Sequence, residues 1–562
     1  MSVFISLFTF FSGLIVSEPT ASIPAITTHN TSDNTDFYRQ TCNRGPGPWY
    51  IYDYEGRQGL SLLNRNGISF LNKKGTVLFC EGDSFFSGLV TTNEINFVGF
   101  GDRERIRVKP VENQYFNILS LRLESLNQLF SVLEITQDDL TLTGLHIDDY
   151  PEGLISPESE KRLNISIENI TFTQDYIDPE KFTDDYSRLN GLTPEFEDNP
   201  VFDFRLKEKA FKDDNYDGLD INEGLSGHDP AAIQINRMGT DLRMNGVIFS
   251  NHTFNRQIVR LHTNLDLIMN DVEFSDNKNN LLLASKYIKN SQIQNIKIHN
   301  NTSAGFSFFN TSDPFPGNSE IKLLGGVISK NESIRLLIMG MSTYINEISF
   351  EKNGFGRWDP DSPGLSNYIK VIANRYDDVK IHNSNFNENK NFYITLANGW
   401  GSITESIFIK NHSTGGMLRF SGLGHKLDNT RFERNNIQSV MGLILVNSEV
   451  TLSDSYVAHS YYNYERTESR VPFFIFSLIG KESVNYATFD RYVSDPVQTS
   501  EINRMISFKN TFFEHSMRSV RDEATIIGFY DLESDSPIVE FKRFEEGLNT
   551  LDCYWDGRTL CR

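Results

Sequence analysis

Cysteine is scarce in this sequence, with only four in 562 residues, all near the two ends. No cysteine lies between Cys80 and Cys553, so packing rather than disulfides must hold the body of the chain together. In an oxidising compartment we expect Cys42 to pair with Cys80 and Cys553 with Cys561, although four cysteines allow three pairings. Four unpaired structural thiols are the alternative.

Basic residues are also few relative to acidic ones. The chain has 53 Lys and Arg against 74 Asp and Glu, giving a formal net charge of −21. This balance argues against nucleic acid, whose phosphates need Lys and Arg, and against anionic membrane surfaces. The negative net charge also disfavours long-range attraction of a polyanionic glycan, but it does not exclude a local basic groove. The Lys and Arg residues are scattered along the sequence without a recurring column.

Long apolar runs are missing except at the N-terminus. Residues 1–22 contain one such run followed by small residues, which resembles a secretory signal peptide, although no Lys or Arg precedes the run. A buried strand or an uncleaved anchor is the alternative. No other run approaches the roughly 18 apolar residues of a membrane span. We therefore expect a secreted protein without a membrane span once the signal is removed.

Asparagine sequons support a secretory route, because Asn-x-Ser/Thr is the acceptor for N-linked glycans. An Asn-rich chain also produces some sequons by chance. The candidate acceptors are Asn30, Asn164, Asn169, Asn251, Asn300, Asn301, Asn310, Asn331 and Asn411.

Helical periodicity is rare, whereas a phrase of the form Phe-x-x-Asn recurs along the chain. Phe274, Phe350, Phe386, Phe408 and Phe432 each stand three residues before an Asn. Ile takes the Phe place twice, before Asn301 and Asn331. The seven Asn positions are separated by 24, 30, 22, 36, 22 and 24 residues. Apolar residues alternate within each unit, which indicates short strands separated by turn formers.

A repeat of short strands with this period predicts coils that stack on one another. We expect an all-β fold, a single-stranded right-handed parallel β-helix with about three strands per coil. The repeated Phe and Ile should point inward and stack, and each Asn should hydrogen-bond to the Asn of the next coil, because an amide both donates and accepts. An Asn in such a ladder cannot carry a glycan. Either the sequons at Asn301, Asn331 and Asn411 are empty, or these residues lie on outer turns.

From about residue 76 the chain resembles a known family. The segments "GTVLFCEGDSFFSGL", "INFVGFGD" and "LTLTGLHI" resemble the opening coils of the pectin-lyase-like β-helix superfamily. The Phe-x-x-Asn units and "GGVISKN" also resemble the repeats of β-helical surface adhesins. The resemblance implies architecture more than activity, since the superfamily includes lyases, hydrolases, epimerases and non-catalytic proteins.

We divide the chain accordingly. A signal peptide at 1–22 and an N-terminal cap at 23–75 precede a β-helix at 76–545, and a disulfide-stapled cap at 546–562 closes it. A large acidic insertion at 174–229 contains 16 Asp and Glu against 6 Lys and Arg. Within it, Asp213, Asn215, Asp217 and Glu223 are spaced much like an EF-hand loop, which suggests calcium as the one candidate cofactor. The Glu arrives one residue early, and a solvated acidic loop is the alternative.

A second interruption suggests a site for polysaccharide chemistry. Glycoside hydrolysis needs paired carboxylates, and an exposed Trp can carry a sugar ring. The candidate catalytic residues are Asp359, Asp361, Asp377, Asp378 and His425, and the candidate substrate-binding residues are Arg357, Trp358, Arg375 and Lys426. The resemblance implies four catalytic motifs on successive coils, of which this sequence offers only Asp377–Asp378 and part of a Gly-His-Gly.

Two hypotheses of different class therefore remain. The chain either binds or processes an extracellular polysaccharide, as a hydrolase or lyase if it is an enzyme, or it is a non-catalytic surface or matrix glycoprotein with an adhesive or structural role. The expected partner is an extracellular glycan or a cell-surface molecule, and not nucleic acid.

Overall fold

The computed structural model of the protein describes most of residues 31–555. Its longer gaps are at 110–130, 175–230, 355–366, 463–473, 479–504 and 515–525, with shorter gaps between strands. The described chain is almost entirely β-strand. The predicted signal peptide, the acidic insertion and Cys561 lie outside the described residues, as does the side chain of Cys553.

Each coil contributes strands to three columns. The first column contains Gly75–Cys80, Ile95–Phe100, Asp139–Thr143, Leu163–Glu168, Thr240–Asn245 and Asp378–His382. The second contains Gly82–Phe85, Ile106–Lys109, His146–Asp148, Thr171–Thr173, Ile248–Ser250, Glu273–Ser275, Asn385–Asn387, Ile407–Ile409, Arg431–Glu433 and Tyr456–Ala458. The third contains Ser69–Leu71, Leu89–Thr91, Ser131–Ile135, Glu152–Ser156, Ile233–Ile235, Ala304–Phe309, Ile334–Met339, Asn367–Ile372, Phe474–Leu478 and Ile526–Asp531.

Eight longer strands run through a corner and belong to two or three columns. They are Gln257–Asn270, Leu281–His299, Glu320–Ser329, Ser342–Glu351, Phe392–Thr404, Leu418–Asp428, Ile444–Ser453 and Met505–Glu514. Equivalent strands of successive coils pair in parallel, as when Leu242 faces Leu267 and Phe249 faces Phe274. Among the described residues, all three columns join in one sheet, which has 38 strands when the antiparallel terminal strands are included. A short outer column adds His412–Ser413, Asn436–Ile437 and Tyr461–Tyr462. The predicted all-β solenoid of parallel strands is confirmed.

A single residue with left-handed backbone turns the chain from the first column into the second. The φ angles of these residues lie between 44° and 70°. Gly, Asn and Asp tolerate this conformation best, and they fill most of the positions. The residues are Gly144, Asn169, Gly246, Asp271, Asn295, Gly325, Glu347, Asn383, Glu405, Asn429 and Asp454.

A second left-handed residue ends the second column and immediately precedes the repeated Asn, or His252 in the coil before the first repeated Asn. Here φ lies between 52° and 58°, and several residues are long and charged. They are Asn251, Asp276, Asn300, Lys330, Lys352, Glu388, Lys410 and Arg434. A Lys or Arg in this conformation costs on the order of 1 kcal/mol. The neighbouring asparagines supply the interactions that hold it there.

The seven repeated asparagines form one continuous ladder inside the second bend, as predicted. Asn389 shows the pattern: its Nδ2 donates to Phe350 O at 2.7 Å and to Asn411 Oδ1 at 2.9 Å. Its Oδ1 accepts from the backbone N of Asn353 at 3.1 Å and from Asn353 Nδ2 at 2.9 Å. Each ladder side chain is 0–1 % exposed. The ladder begins one coil earlier than the sequence indicated, where the backbone N of His252 donates to Asn277 Oδ1.

Three predicted glycosylation sites are therefore wrong for the folded chain. Asn301, Asn331 and Asn411 are ladder members, and the Nδ2 atom that a glycan would occupy already donates to buried acceptors. A buried amide surrounded by the next coil leaves no room for a sugar. These three positions leave the set of candidate acceptors.

The repeated aromatic side chains stack along the interior beside the ladder. The ring centroids of Phe386 and Phe408 are 4.6 Å apart, and those of Phe408 and Phe432 are 4.8 Å apart, with nearly parallel planes. These distances match the spacing of strands in a sheet. Ile298 and Ile328 interrupt the stack, and there Phe306 of the third column meets Phe274 edge-on at 5.7 Å. The predicted interior row is confirmed.

A second hydrogen-bonded column appears at the first bend of the later coils. The inward residue after this bend is Val272 or Ile296 in earlier coils, both in the hydrophobic core. In later coils Ser384, Ser406, Thr430 and Ser455 occupy this place. Ser384 N donates to Ser406 Oγ at 3.2 Å, and Thr430 N donates to Ser455 Oγ at 3.1 Å. Short hydroxyl side chains thus replace apolar packing with hydrogen bonds.

The N-terminal end is tied to the first coil by the predicted Cys42–Cys80 disulfide, which is confirmed. The helix Thr31–Cys42 packs Phe37 against Leu78, outside the main core. Strand Trp49–Tyr54 pairs antiparallel with both Arg57–Leu62 and Gly75–Cys80. At the other end, Leu551–Trp555 pairs antiparallel with Met505–Glu514, and Ser536–Arg543 with Ile526–Asp531.

The ladder leads to a first prediction. Asn389→Ala should lower the free energy of unfolding by about 3 kcal/mol, because it leaves several buried backbone and amide groups without partners. Urea titration followed by circular dichroism measures this change. Asn387→Ala is the matched control, since Asn387 lies on the outward side of the same coil and is only half-buried. Equal stability of the two variants would show that the ladder is not a major stabilising element.

Candidate functional site

Only part of the predicted site lies among the described residues. Asp377, Asp378, His425 and Lys426 are described. The remaining candidates lie outside the described residues: Arg357, Trp358, Asp359, Asp361 and Arg375, together with the predicted calcium ligands Asp213, Asn215, Asp217 and Glu223. Among the described residues, no three His, Cys, Asp or Glu side chains come together in a way that would hold a metal ion.

Asp377 organises the bend that leads from the third column into the first. Its Oδ2 accepts from the backbone N of Asn374 at 3.0 Å, and its Oδ1 accepts from Ser342 Oγ at 3.3 Å. Its carbonyl oxygen accepts from Trp400 N at 3.1 Å. These contacts are those of a turn-forming Asp whose side chain mimics a backbone turn. Both carboxylate oxygens of Asp377 are engaged within the protein.

Asp378 begins the next first-column strand and is exposed. Its carboxylate forms an ion pair with Lys380 at 2.9 Å. Because Asp377 belongs to the bend and Asp378 to the strand, the two neighbours have different surroundings. The described residues do not present them as a pair of carboxylates facing one substrate.

His425 lies in the interior, which is a correction to its predicted catalytic role. It stands in register with Gly401 and Val450, and Val379 precedes Gly401 in the same inward column. Its ring stacks on Phe420 at 4.9 Å, and its Nε2 lies 3.2 Å from Ser421 O. A Cβ at Gly401 would lie 2.2 Å from His425 Nδ1, so glycine makes room for the ring. Burial lowers the pKa of His425 to about 4.

Lys426 points away from His425, because successive strand residues face opposite sides of the sheet. It is exposed and pairs with Asp428 at 2.9 Å. It stands in register with Ser402, which in turn faces Lys380. The predicted association of His425 with Lys426 at one site is therefore wrong, while Lys426 remains on the outward side near Asp378.

The sequence analysis missed two exposed aromatic side chains of this region, Trp400 and Tyr376. Trp400 stands between Asp378 and Gly424 in the first column and is 50 % exposed. A Cβ at Gly424 would lie 2.6 Å from Trp400 Cζ3. The indole therefore covers the bare backbone of Gly424, and half of its surface faces solvent. Tyr376, which precedes the Asp377 bend, is 73 % exposed.

We call this surface the tryptophan patch, and it combines apolar and hydrogen-bonding groups. Its members are Tyr376, Asp378, Lys380, Trp400, Ser402 and Lys426. The charges alternate in sign, since Asp378 pairs with Lys380 and Lys426 pairs with Asp428. Exposed ion pairs of this kind contribute little to stability, so these groups can exchange their partners for a ligand at small cost.

A tyrosine–arginine patch lies on the outward side of the third column. It consists of Arg335, Tyr368, Lys370, Tyr393 and Arg419, all half-buried. The rings of Tyr368 and Tyr393 stack at 5.4 Å, and the Arg419 guanidinium lies 4.1 Å above the Tyr393 ring. Lys370 and Arg419 flank Thr395 in one register column. Leu337 precedes and Leu445 follows them in this register column, so Lys370 and Arg419 do not form a recurring column of basic residues.

Comparisons with known proteins give no family for this chain. No family model, curated protein or solved structure matches it. No helix of the described residues has the length and apolar character needed to cross a membrane.

The buried histidine gives a second prediction. The folded pKa of His425 is about 4, below the unfolded value of 6.5, so the unfolded state binds more protons between these two values. The stability contributed by neutral His425 is therefore present above pH 6.5 and is lost as pH falls toward 4, by about 3 kcal/mol in all. Urea titrations at pH 7.5 and pH 4.5 measure the loss.

His425→Val should show a smaller loss of stability between these two pH values, since Val379 and Val450 stand at the equivalent positions. His382→Gln is the control, because His382 is only half-buried. An equal pH dependence in His425→Val and the unaltered protein would mean that this residue does not titrate with a lowered pKa.

Proposed function

We propose that this chain is a secreted, right-handed parallel β-helix with capped ends that resembles the pectin-lyase-like superfamily and binds an extracellular polysaccharide. Three columns of parallel strands and single-residue bends support the architecture. The antiparallel strands at both ends support capping, because they cover or continue strand edges that would otherwise be open. The Cys42–Cys80 disulfide is compatible with an oxidising compartment.

The observation that carries the proposed binding is the position of Trp400 on Gly424. A sugar ring has an apolar face of C–H groups and a rim of hydroxyls. It therefore needs a flat aromatic surface with hydrogen-bonding groups beside it. Trp400 offers such a surface at 50 % exposure, because Gly424 has no side chain that would lift or tilt the indole.

The groups around Trp400 suit the hydroxyl rim. Asp378 accepts hydrogen bonds, Lys380 and Lys426 donate them, and Ser402 does both. All four stand on first-column strands at neighbouring register positions. A sugar placed on the indole would therefore find the acceptor Asp378 and the donor Lys380 on the preceding strand, and the donor Lys426 on the following one.

The tyrosine–arginine patch extends the same surface around one corner. Tyr393 and Trp400 belong to one strand, Phe392–Thr404, and Arg419 and Lys426 belong to the next, Leu418–Asp428. Aromatic and cationic groups thus continue from the first column onto the third. This continuity favours a polymer over a single sugar, since a chain of sugars can contact both patches.

Binding is favoured over catalysis by the state of two of the three described catalytic candidates. Asp377 is engaged in a bend, and His425 is buried in the core. Neither is presented to a ligand at the surface. We therefore propose a binding or adhesive glycoprotein, and we place hydrolysis or lyase activity among the outcomes of the test.

The third prediction concerns Trp400. Trp400→Ala should weaken polysaccharide binding about tenfold, because it removes the apolar area that a sugar ring would cover, worth about 1.4 kcal/mol. A glycan array identifies the ligand, and isothermal calorimetry on the best glycan measures the affinity. Gly424→Ala should also weaken binding, because its Cβ displaces the indole while leaving it in the chain.

Ile407→Ala is the matched control, since Ile407 is an exposed apolar residue of the second column and lies outside both patches. Reducing-sugar and unsaturated-uronide assays on the same glycan, with and without chelator, test for hydrolysis and elimination. Equal affinities for Trp400→Ala and Ile407→Ala would contradict the proposed site.

A further inference from the structure

The sequons of the described residues fall into two groups according to burial, while Asn30 and Asn310 lie outside those residues. Asn164, Asn169 and Asn300 are exposed, and Asn251 is half-buried. Asn301, Asn331 and Asn411 are 0–1 % exposed members of the Asn ladder. The exposed group lies in the coils before Asn301. Every sequon described from Asn301 onward is buried.

Asn300 and Asn301 give the sharpest contrast, because their two sequons overlap in the segment Asn300-Asn301-Thr302-Ser303. Asn300 occupies the second bend with φ 57° and is exposed. Asn301 Nδ2 donates to Asn331 Oδ1 at 2.8 Å, to His299 O at 3.0 Å and to Phe274 O at 3.1 Å. These two adjacent asparagines thus differ completely in the exposure of their side chains to solvent.

N-glycosylation acts on the amide nitrogen that these contacts involve. Asn Nδ2 forms a bond to C1 of a lipid-linked oligosaccharide and loses one proton. The bond from C1 to the diphosphate oxygen breaks, and the lipid diphosphate leaves with the electron pair. A modified Asn301 would keep at most one Nδ2 hydrogen and would carry a sugar in the core. A chain modified there cannot close the ladder.

We infer that N-linked oligosaccharides occupy Asn164, Asn169 and Asn300 in the folded protein and are excluded from Asn301, Asn331 and Asn411. Asn164 keeps one Nδ2 hydrogen for its contact with Asp139 Oδ1 at 2.7 Å. Asn169 and Asn300 both lie at left-handed bends and are exposed. The inference rests on the secretory route of the proposed function, but it does not depend on polysaccharide binding.

This arrangement has a consequence for the tryptophan patch. Its residues lie between Tyr376 and Lys426, and the described sequons nearest in sequence, Asn331 and Asn411, are the buried ones. Among the described sequons, the exposed ones therefore belong to the earlier coils, and none of them lies in the coils of the tryptophan patch.

Two single substitutions separate the overlapping sequons. Thr302→Ala destroys the Asn300 sequon and leaves Asn-Ala-Ser at Asn301, whereas Ser303→Ala destroys the Asn301 sequon and leaves Asn-Asn-Thr at Asn300. The full chain is secreted from eukaryotic cells behind a heterologous leader, and glycopeptide mass spectrometry identifies each modified Asn. We expect Thr302→Ala to lose one glycan and Ser303→Ala to keep the full number.

Three results would overturn the inference. They are a glycan on Asn301, Asn331 or Asn411 of the secreted folded protein, loss of a glycan in Ser303→Ala but not in Thr302→Ala, and an unmodified Asn300 in the unaltered chain. The heterologous leader separates this test from the protein's own N-terminal segment. A failure of polysaccharide binding would leave the result unchanged.

Discussion

The Asn ladder is the interaction on which the rest of this structure depends. A bend inside a stack of coils buries backbone N–H and C=O groups, and each such group needs a partner. The amide of each ladder Asn donates one hydrogen bond to the preceding coil, as from Asn389 to Phe350 O, and one to the next coil. Its oxygen accepts from the coil before. One side chain thus bonds to both neighbouring coils and fixes their register with its own coil.

Fixed register determines what the surface can present. Residues at equivalent outward positions lie one strand spacing apart, about 4.8 Å, along each column. This is why Trp400 lies on Gly424, and why Tyr368 stacks on Tyr393. The tryptophan patch and the tyrosine–arginine patch therefore combine residues of successive coils, more than twenty positions apart in the chain. The stacked core contains none of these residues and fixes their relative positions.

The sequence was sufficient to predict the interior and insufficient to predict the site. The Phe row and the Asn ladder were predictable because each repeats the same residue type at the same offset. The site residues share no such type: Arg335, Tyr368 and Tyr393 are register partners in the structure and look unrelated in the sequence. Coil lengths also vary, so outward positions cannot be aligned by counting.

His425 and Trp400 show that the sequence does not reveal which residues face inward at a corner, since His425 is buried and Trp400 is half exposed. Both stand in glycine-rich segments where a strand passes from the third column into the first, and there alternation does not reveal which side is inward. His425 looked like a partial catalytic motif and fills the space above Gly401 in the core. Trp400 belongs to no motif of the sequence and is half exposed. The Ser and Thr column of the later coils was missed because small hydroxyl residues also mark turns.

The left-handed residue before each ladder Asn carries a wider consequence. Lys330, Lys352, Glu388, Lys410 and Arg434 all adopt a backbone shape that such residues rarely choose. The neighbouring amide enforces the geometry, so the bend residue itself does not have to favour the left-handed conformation. An entire edge of the molecule can thus change its charge and chemistry over evolutionary time while the architecture beneath it is conserved.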